Sequence, residues 1–557
     1  MSNEAIHFIE DAEAKLAAAN IEQQRAEWIA QNFITYDTQV IAAAADEKQI
    51  ALGVKLAKEA AKFDPLRDLP YDVRRKLDLI KLSLTTPGPS DAKRTAELAR
   101  IAAAMEAMYG VATFDGLDVE AITKIMQQER DPRRLLDVWR GWHSSARPMK
   151  PLYSRFVELT NEGARELGYA DAGAMWRSKY NMPPDAFAAE ADRLWEQVKP
   201  LYDSLHRYVA RKLSVAPGHP IPAHLLGNIW AQEWANIYEL VAPADARKRD
   251  DLTKVLEART DIDEVGMVRI AEQFFTSLGF APLPQTFWER SLFTKPRDRD
   301  VVCHASAWDI DDDQDLRVKM CISKTVDYFQ TIHHELGHNF YQRAYRTQPF
   351  LYKDSANDAF HEAIGDTIAL SVTPAYLVKI GLLDREPPEA DDIPLLLREA
   401  LDKVAFLPFG IMIDKWRWRV FAGKITPDDY NASWWDLRLQ YQGIAPPNER
   451  SEAEFDPGAK YHIAANVPYM RYFLARILQF QFHRALCGIA GFNGPLHRCS
   501  IYGNHTAGER LQKMLAMGRS RPWPDALEVL CGQRQMDATA MLDYFAPLQQ
   551  WLDEQNR

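Results

Sequence analysis

Ala, Leu, Glu, Lys and Arg recur at three- and four-residue spacing through residues 5–60, 90–130, 184–213 and 391–422 of this 557-residue chain. That period puts apolar residues on one face of a helix and suits little else. Prolines fall between such segments, as in "KPLY" at 199–202 and "GHPIP" at 218–222, where helices are expected to start or stop. No internal repeat, low-complexity tract or long Gly/Ser- or Pro-rich linker divides the chain. The expectation is therefore one large, mainly α domain over residues 1–557, and not the roughly two to four domains that length alone suggests.

One region breaks the period. "DVVCHASAW" (300–308) and "LRVKMCIS" (316–323) are rich in Val and Ile and roughly alternate, so they read as two short strands joined by "DIDDDQD" (309–315). Such a hairpin would bring Cys303 and Cys321 near each other. The acidic run lacks the glycine and terminal glutamate of an EF-hand loop and reads as a solvated turn.

Charge and hydropathy narrow the function classes. The net charge of −11 is the wrong sign for a nucleic-acid groove, so no nucleic-acid partner is expected. No apolar run reaches the ~18 residues of a membrane span. The first thirty residues carry acids throughout and read as an amphipathic helix, not as a signal peptide. On that reading the protein is cytoplasmic, or it is exported and its leader is absent from this sequence. Cys303 and Cys321 flank one short segment, Cys487 and Cys499 flank another, and Cys531 is left over. Spacing alone leaves reduced core thiols and disulfides both open.

The stretch "HHELGH" (333–338) carries the strongest chemical signal. On a helix, positions four apart share a face, so His334 and His338 can aim two imidazoles at one ion. Glu335 follows His334 directly and can serve as a general base without being a ligand. A chance H-E-x-x-H is expected in only about one such sequence in forty. Either these residues hold a metal or they are polar residues on a helix, and a third ligand is what separates the two.

"NDAFHEAIGDTIALS" (357–371) offers one: Glu362 lies 24 residues after His338, with Asp366 four positions further on. Two histidines and one glutamate leave a fourth zinc position open, as catalytic sites require. Asp366 is placed to accept a hydrogen bond from a ligand imidazole and fix its tautomer. His361 is an alternative ligand, but a His2Glu set with Glu335 as base fits better. His333 points elsewhere and reads as a bystander. Zinc is the expected cofactor, and the reaction class is metal-assisted hydrolysis, most naturally of a peptide bond.

Several segments together resemble the angiotensin-converting enzyme family of zinc peptidyl-dipeptidases. "HHELGH" and "FHEAIGDTIALS" are similar to that family's metal helices. "VVCHASAWD" (301–309), "IPAHLLGNIWAQEWANIYELV" (221–241), "KYHIAANVPYMRYF" (460–473), "LQFQFHRALC" (478–487) and "SRPWPDALEVL" (520–530) resemble other segments of it, over nearly the whole chain. The resemblance implies a large helical ellipsoid in which two subdomains flank a deep central cleft. It implies a helical lid within residues 1–100 and the small β-hairpin close to the active site. It also implies release of dipeptides from oligopeptides with a free C-terminus.

Residue by residue, the resemblance assigns Gln232, Lys460 and Tyr469 to the substrate's terminal carboxylate. His304 and His462 would hydrogen-bond the carbonyl between the two leaving residues, and the Ala305 backbone would pair with the peptide like an added strand. Tyr472, supported by His462, would donate to the oxyanion. Cys303–Cys321 and Cys487–Cys499 match two family disulfides, which favours a periplasmic or secreted protein over a cytoplasmic one. Gln232 stands where a homologue that removes single residues has arginine, and so favours dipeptide over single-residue release. A non-catalytic peptide-binding homologue would have lost the base or a ligand, and His334, Glu335, His338 and Glu362 are all present.

The chain departs from the family at its chloride sites. One resembles Trp434, Trp435 and Arg438, but His143 stands where an arginine is expected. The second resembles Tyr180 and Arg471, with Asp358 where chloride-dependent members carry proline. The expectation is that Asp358 replaces the second chloride and makes activity largely independent of it. Arg476 stands where the animal enzyme has an aromatic residue, and if it faces the cleft, acidic C-terminal residues should be favoured.

Overall fold

The computed structural model describes residues 2–243 and 252–557; Met1 and 244–251 lie outside the described residues. The chain divides into two compact units, Met1–Leu84, Arg247–Pro387 and Ile477–Tyr544 forming the first, and Thr85–Ala246, Pro388–Arg476 and Phe545–Arg557 the second.

In the first unit the periodic segment 5–60 is two helices, α1 (Ser2–Asn32) and α2 (Tyr36–Ala61). The chain breaks between them because Thr35 is extended and caps α2, its hydroxyl accepting from the Thr38 amide while Thr38 answers to the Thr35 amide. The buried faces of α1 and α2 are mainly alanine, among them Ala5, Ala12, Ala57 and Ala60, and α3 (Tyr71–Leu82) closes over them with Val73, Leu77 and Ile80. These three helices belong to the first unit, whereas the next, Ala92–Gly110, belongs to the second.

The hairpin is present but shorter than its sequence pattern. Strands β1 (Ser306–Asp309) and β2 (Leu316–Lys319) pair antiparallel, with Ser306 opposite Lys319. Residues 300–305 stay irregular because their backbone groups are spent elsewhere. The Val302 amide donates to the Gln31 carbonyl (2.9 Å), and the carbonyls of Val302 and His304 accept from Lys319 Nζ (2.6 Å each). The joining turn is braced rather than merely solvated. Asp311 Oδ1 accepts from the amides of Asp313, Gln314 and Asp315, and Asp315 is buried between Arg290 and Arg317.

Two helices follow that carry the metal motif, α4 (Val326–Tyr345) and α5 (Phe360–Leu370). Thr325 caps α4 by accepting from the Tyr328 amide. Asn339 on α4 donates to the Trp308 and Arg317 carbonyls, which fixes the hairpin against this helix.

The second unit holds two long helices where the period predicts them, Pro184–Lys212 and Asp392–Phe421. One expectation is overturned here: Pro200 lies inside the first of these helices instead of between two helices, and Pro408 lies inside the second. An interior proline costs about 3 kcal/mol. Buried side chains on both sides of Pro200, including Trp195, Val198, Leu201 and Tyr202, outweigh that cost and hold the helix together. The segment 90–130 is likewise two helices, Ala92–Gly110 and Val119–Gln128, the second capped by Asp118. Among the described residues, strands are confined to the hairpin and to a two-residue parallel pairing of Ile221–Pro222 with Ile444–Ala445, so the fold is mainly α.

Candidate active site

The first unit gathers the metal motif. His334 and His338 lie one turn apart on α4 with their Nε2 atoms 3.1 Å from each other, and Glu362 Oε2 on α5 is 3.7 Å from His334 Nε2. The three donor atoms all fall within 4.8 Å of one another. Zinc bonds of about 2.0–2.1 Å in a tetrahedron set donors roughly 3.4 Å apart, so the set fits that ion.

A glycine pair makes this convergence possible. A Cβ on Gly337 would meet Gly365 Cα at 2.9 Å, and a Cβ on Gly365 would meet the His334 ring at 2.8 Å. Any larger residue at either position would force α4 and α5 apart and move Glu362 with them.

Groups behind the ligands fix their tautomers. Asp366 Oδ1 is 3.1 Å from His334 Nδ1. His338 Nδ1 is 3.3 Å from His361 Nδ1, and His361 Nε2 is 3.2 Å from the Tyr345 hydroxyl. If His338 presents Nε2 to an ion, its Nδ1–H donates to His361, whose own Nε2–H then donates to Tyr345. His361 therefore buttresses a ligand and is not one. In the sequence His361 stands out only as an alternative ligand, and nothing there marks Tyr345, four residues from Tyr341 on the same helix. His333 is a bystander, as expected: it is buried, with Nδ1 at the Phe329 carbonyl and Nε2 at Tyr376.

Electrostatics suit a cation. Burial disfavours charge on both ligand imidazoles, but Asp366 outweighs this at His334 and raises it to about 9, while burial and the neighbouring His334 hold His338 well below the usual range. Glu335, only 7% exposed, has its pKa raised by burial and by Glu362, against the lowering effect of His334. Among the described residues its carboxylate makes no hydrogen bond and is left for a reacting partner.

His304 and Ala305 belong to the same unit. His304 is exposed, with Nδ1 2.9 Å from the Ala305 carbonyl. The Cys303–Cys321 disulfide is formed, with Cα atoms 5.1 Å apart, as is Cys487–Cys499 at 6.2 Å; Cys531 is free.

The second unit gathers the residues assigned to the terminal carboxylate. Lys460 Nζ donates to Gln232 Oε1 (2.6 Å), and the Tyr469 hydroxyl is 3.4 Å from the same oxygen. Lys460 also sits over the Trp230 ring, 3.9 Å from its centroid. Burial and the nearby Arg438 push its pKa down to about 7. His462 lies edge-on to Tyr469 and Tyr472, with ring centroids 4.7 and 5.6 Å away. Burial, Lys460 and Arg417 push His462 down to about 3, so it acts as a neutral imidazole.

An ion pair that the sequence reading did not single out holds this group. Arg417 Nε donates to Asp414 Oδ1 (2.9 Å), Arg417 Nη1 donates to the His462 carbonyl (2.8 Å), and Asp414 Oδ2 accepts from the amides of Tyr469 (2.8 Å) and Met470 (2.7 Å). Its signal was an Asp and an Arg three positions apart inside an apolar helix.

The anion residues divide between the units. Arg438 is fully buried among Phe409, Trp434 and Trp435, donates to the Trp230 carbonyl, and has no carboxylate within ion-pair distance among the described residues. The Trp435 indole already donates to Asp456, and His143 stacks on Trp139 with its pKa lowered by burial to about 4. Tyr180 stacks on Phe187 in the second unit, which also contains Arg471, whereas Asp358 is in the first. Arg476 pairs with Asp402 at 3.3 Å.

The family model for angiotensin-converting enzyme, peptidase family M2, matches residues 1–557. Angiotensin-converting enzyme of Sus scrofa is 49% identical over 457 residues, covering 80% of this chain and 34% of its own length. That of Mesocricetus auratus is 41% identical over 571 residues, covering 100% of this chain and 43% of its own. That of Theromyzon tessulatum is 44% identical, covering 77% and 71%. The chain spans about a third of the length of the first mammalian relatives it matches. By family model and by identity alike, this chain belongs to the angiotensin-converting enzyme family.

Proposed function

We propose that this protein is a zinc peptidyl-dipeptidase that releases dipeptides from the free C-termini of oligopeptides. The observation that carries the reading is the His334, His338 and Glu362 donor set, within 4.8 Å, beside a buried carboxylate, Glu335, that has no internal partner. Zinc, when bound there, polarises the scissile carbonyl and lowers the pKa of water to about 7. Glu335 takes the proton of the attacking water and delivers it to the leaving nitrogen. Tyr472, oriented by neutral His462, donates to the developing oxyanion. Gln232, Lys460 and Tyr469 hold the terminal carboxylate two residues beyond the cut bond, which sets the product length. His304 and His462 hold the carbonyl between those residues, and the Ala305 backbone aligns the chain. The two disulfides support an oxidising compartment, the periplasm or the outside of the cell.

Product masses from a zinc-loaded sample and a defined peptide library test the reading. Losses of two residues are expected. Losses of one would make the protein a carboxypeptidase, and no cleavage of any member would make it a peptide-binding homologue.

Lys460 gives the reaction a pH dependence with a definite sign. Its pKa is about 7 in the free protein, and a bound carboxylate favours the ammonium, so the bound-state pKa is higher. Binding above pH 7 must then take up a proton. KM is expected to be flat below that pH and to rise by up to about tenfold per unit above it. Lys460→Met should raise KM and remove this slope; a flat wild-type KM from pH 6 to 9 would show that binding takes up no proton at Lys460, and an unchanged KM in Lys460→Met would show that Lys460 does not hold the carboxylate.

We propose further that activity is largely independent of chloride, with Asp358 serving in place of the second anion. Added chloride at constant ionic strength should change kcat/KM by less than about twofold. Strong activation would contradict this.

A further inference from the structure

We propose that Lys319 is a positioning residue for peptide binding, whose ammonium holds the His304–Ala305 segment in the geometry that meets the substrate backbone. The inference rests on the peptidase reading above.

Lys319 is 0% exposed, and the Glu335 carboxylate acts on it only from beyond ion-pair distance. A buried cation without a close counter-ion is costly, and burial pushes this lysine down to about 8 against the raising effect of Glu335. Its hydrogen bonds show what it does. Nζ donates to the Val302 carbonyl and to the His304 carbonyl, both at 2.6 Å. These are the residues on either side of Cys303, which is itself bonded to Cys321, two positions beyond Lys319. Three successive residues are therefore tied to one end of β2, two by charge-assisted hydrogen bonds and one covalently.

This segment needs such ties because the ladder does not reach it. Pairing of β1 with β2 begins at Ser306, opposite Lys319. The other side of Lys319 is occupied by Leu292. Among the described residues, the His304 side chain has no hydrogen-bond partner beyond the adjacent Ala305 carbonyl. The aim of His304 and the backbone of Ala305 thus depend on Lys319, on the disulfide, and on the amide of Val302 at Gln31. Lys319 is the tether that survives reduction of the disulfide.

The test uses the full zinc-loaded chain with Lys319→Met, the Cys303→Ser/Cys321→Ser pair, and all three changes together. Lys319→Met is expected to raise KM by at least about tenfold with kcat within about threefold and zinc content unchanged. Combining it with the cysteine pair should raise KM by more than the product of the separate effects, since each tether covers for the other. Amide hydrogen exchange should quicken over residues 301–306 and not in α4 or α5. Unchanged KM, or unchanged exchange at 301–306, overturns the proposal. A fall in kcat at constant KM also overturns it, and would make Lys319 an electrostatic neighbour of Glu335 instead. If Lys319→Met does not fold, Lys319→Gln, which removes the charge and shortens the stem that reaches the two carbonyls, is read the same way. Absence of hydrolysis in the wild type would sink the peptidase reading alone, because the exchange measurement does not depend on activity.

Discussion

Replacing Glu335 by alanine is expected to leave one zinc per chain and to lower kcat by about 10²–10⁴-fold. The two halves of that outcome have separate physical origins. The ligand nitrogens of His334 and His338 and the carboxylate of Glu362 are held by the α4–α5 contact and by Asp366 and His361, none of which involves Glu335. Metal binding should therefore survive. The Glu335 carboxylate is 7% exposed, and among the described residues it is hydrogen-bonded to nothing. Burial and Glu362 raise its affinity for a proton, which suits a group that must accept one from water and later give it up. KM should change little, because Glu335 is assigned no part in holding the peptide. Metal analysis together with the rate of dipeptide release checks both halves. Near-normal turnover would mean that another group is the base.

Asp414→Ala is expected to cost about 3–5 kcal/mol of stability, the usual penalty for stripping one partner from a buried ion pair. Arg417 is 0% exposed and Asp414 1%, so the guanidinium left behind has no water to replace the carboxylate. The same change orphans the amides of Tyr469 and Met470 at the start of the helix Met470–Ile489. The consequences reach function through position. Tyr469 is assigned to the substrate carboxylate, and the His462 carbonyl is held by Arg417. KM should rise while zinc content stays near one, since the metal ligands lie in the other unit. Denaturant unfolding and metal analysis distinguish this from general collapse. A loss below about 1 kcal/mol would show that the pair carries little of the stability. Adding Arg417→Met to Asp414→Ala should recover part of the loss, because it removes the uncompensated charge.

What could be read from the chain alone follows the range of the interactions involved. Helix is set by propensity and by a period of a few residues, so the mainly α fold, the helices Pro184–Lys212 and Asp392–Phe421, and the facing of His334 and His338 were legible in the sequence. Glu362 was legible as the third donor that the two histidines call for, whereas the disulfide pairs came from resemblance to a family, not from spacing. Burial decided what periodicity could not: Pro200 stays inside a helix because the side chains around it are packed on both flanks. The approach of α4 to α5 rests on Gly337 and Gly365 meeting across the contact, and a glycine announces no such partner in one dimension. The same holds for His361 behind His338, for Asp414 beneath Tyr469, and for Lys319 under the His304 segment. The sequence by itself determined which residues form helices and which chemistry one helix face can offer, because those depend on neighbours within a turn. Only the tertiary structure decided which polar groups are buried and what satisfies them, because a hydrogen bond between distant segments exists only once the packed backbone has brought donor and acceptor within about 3 Å.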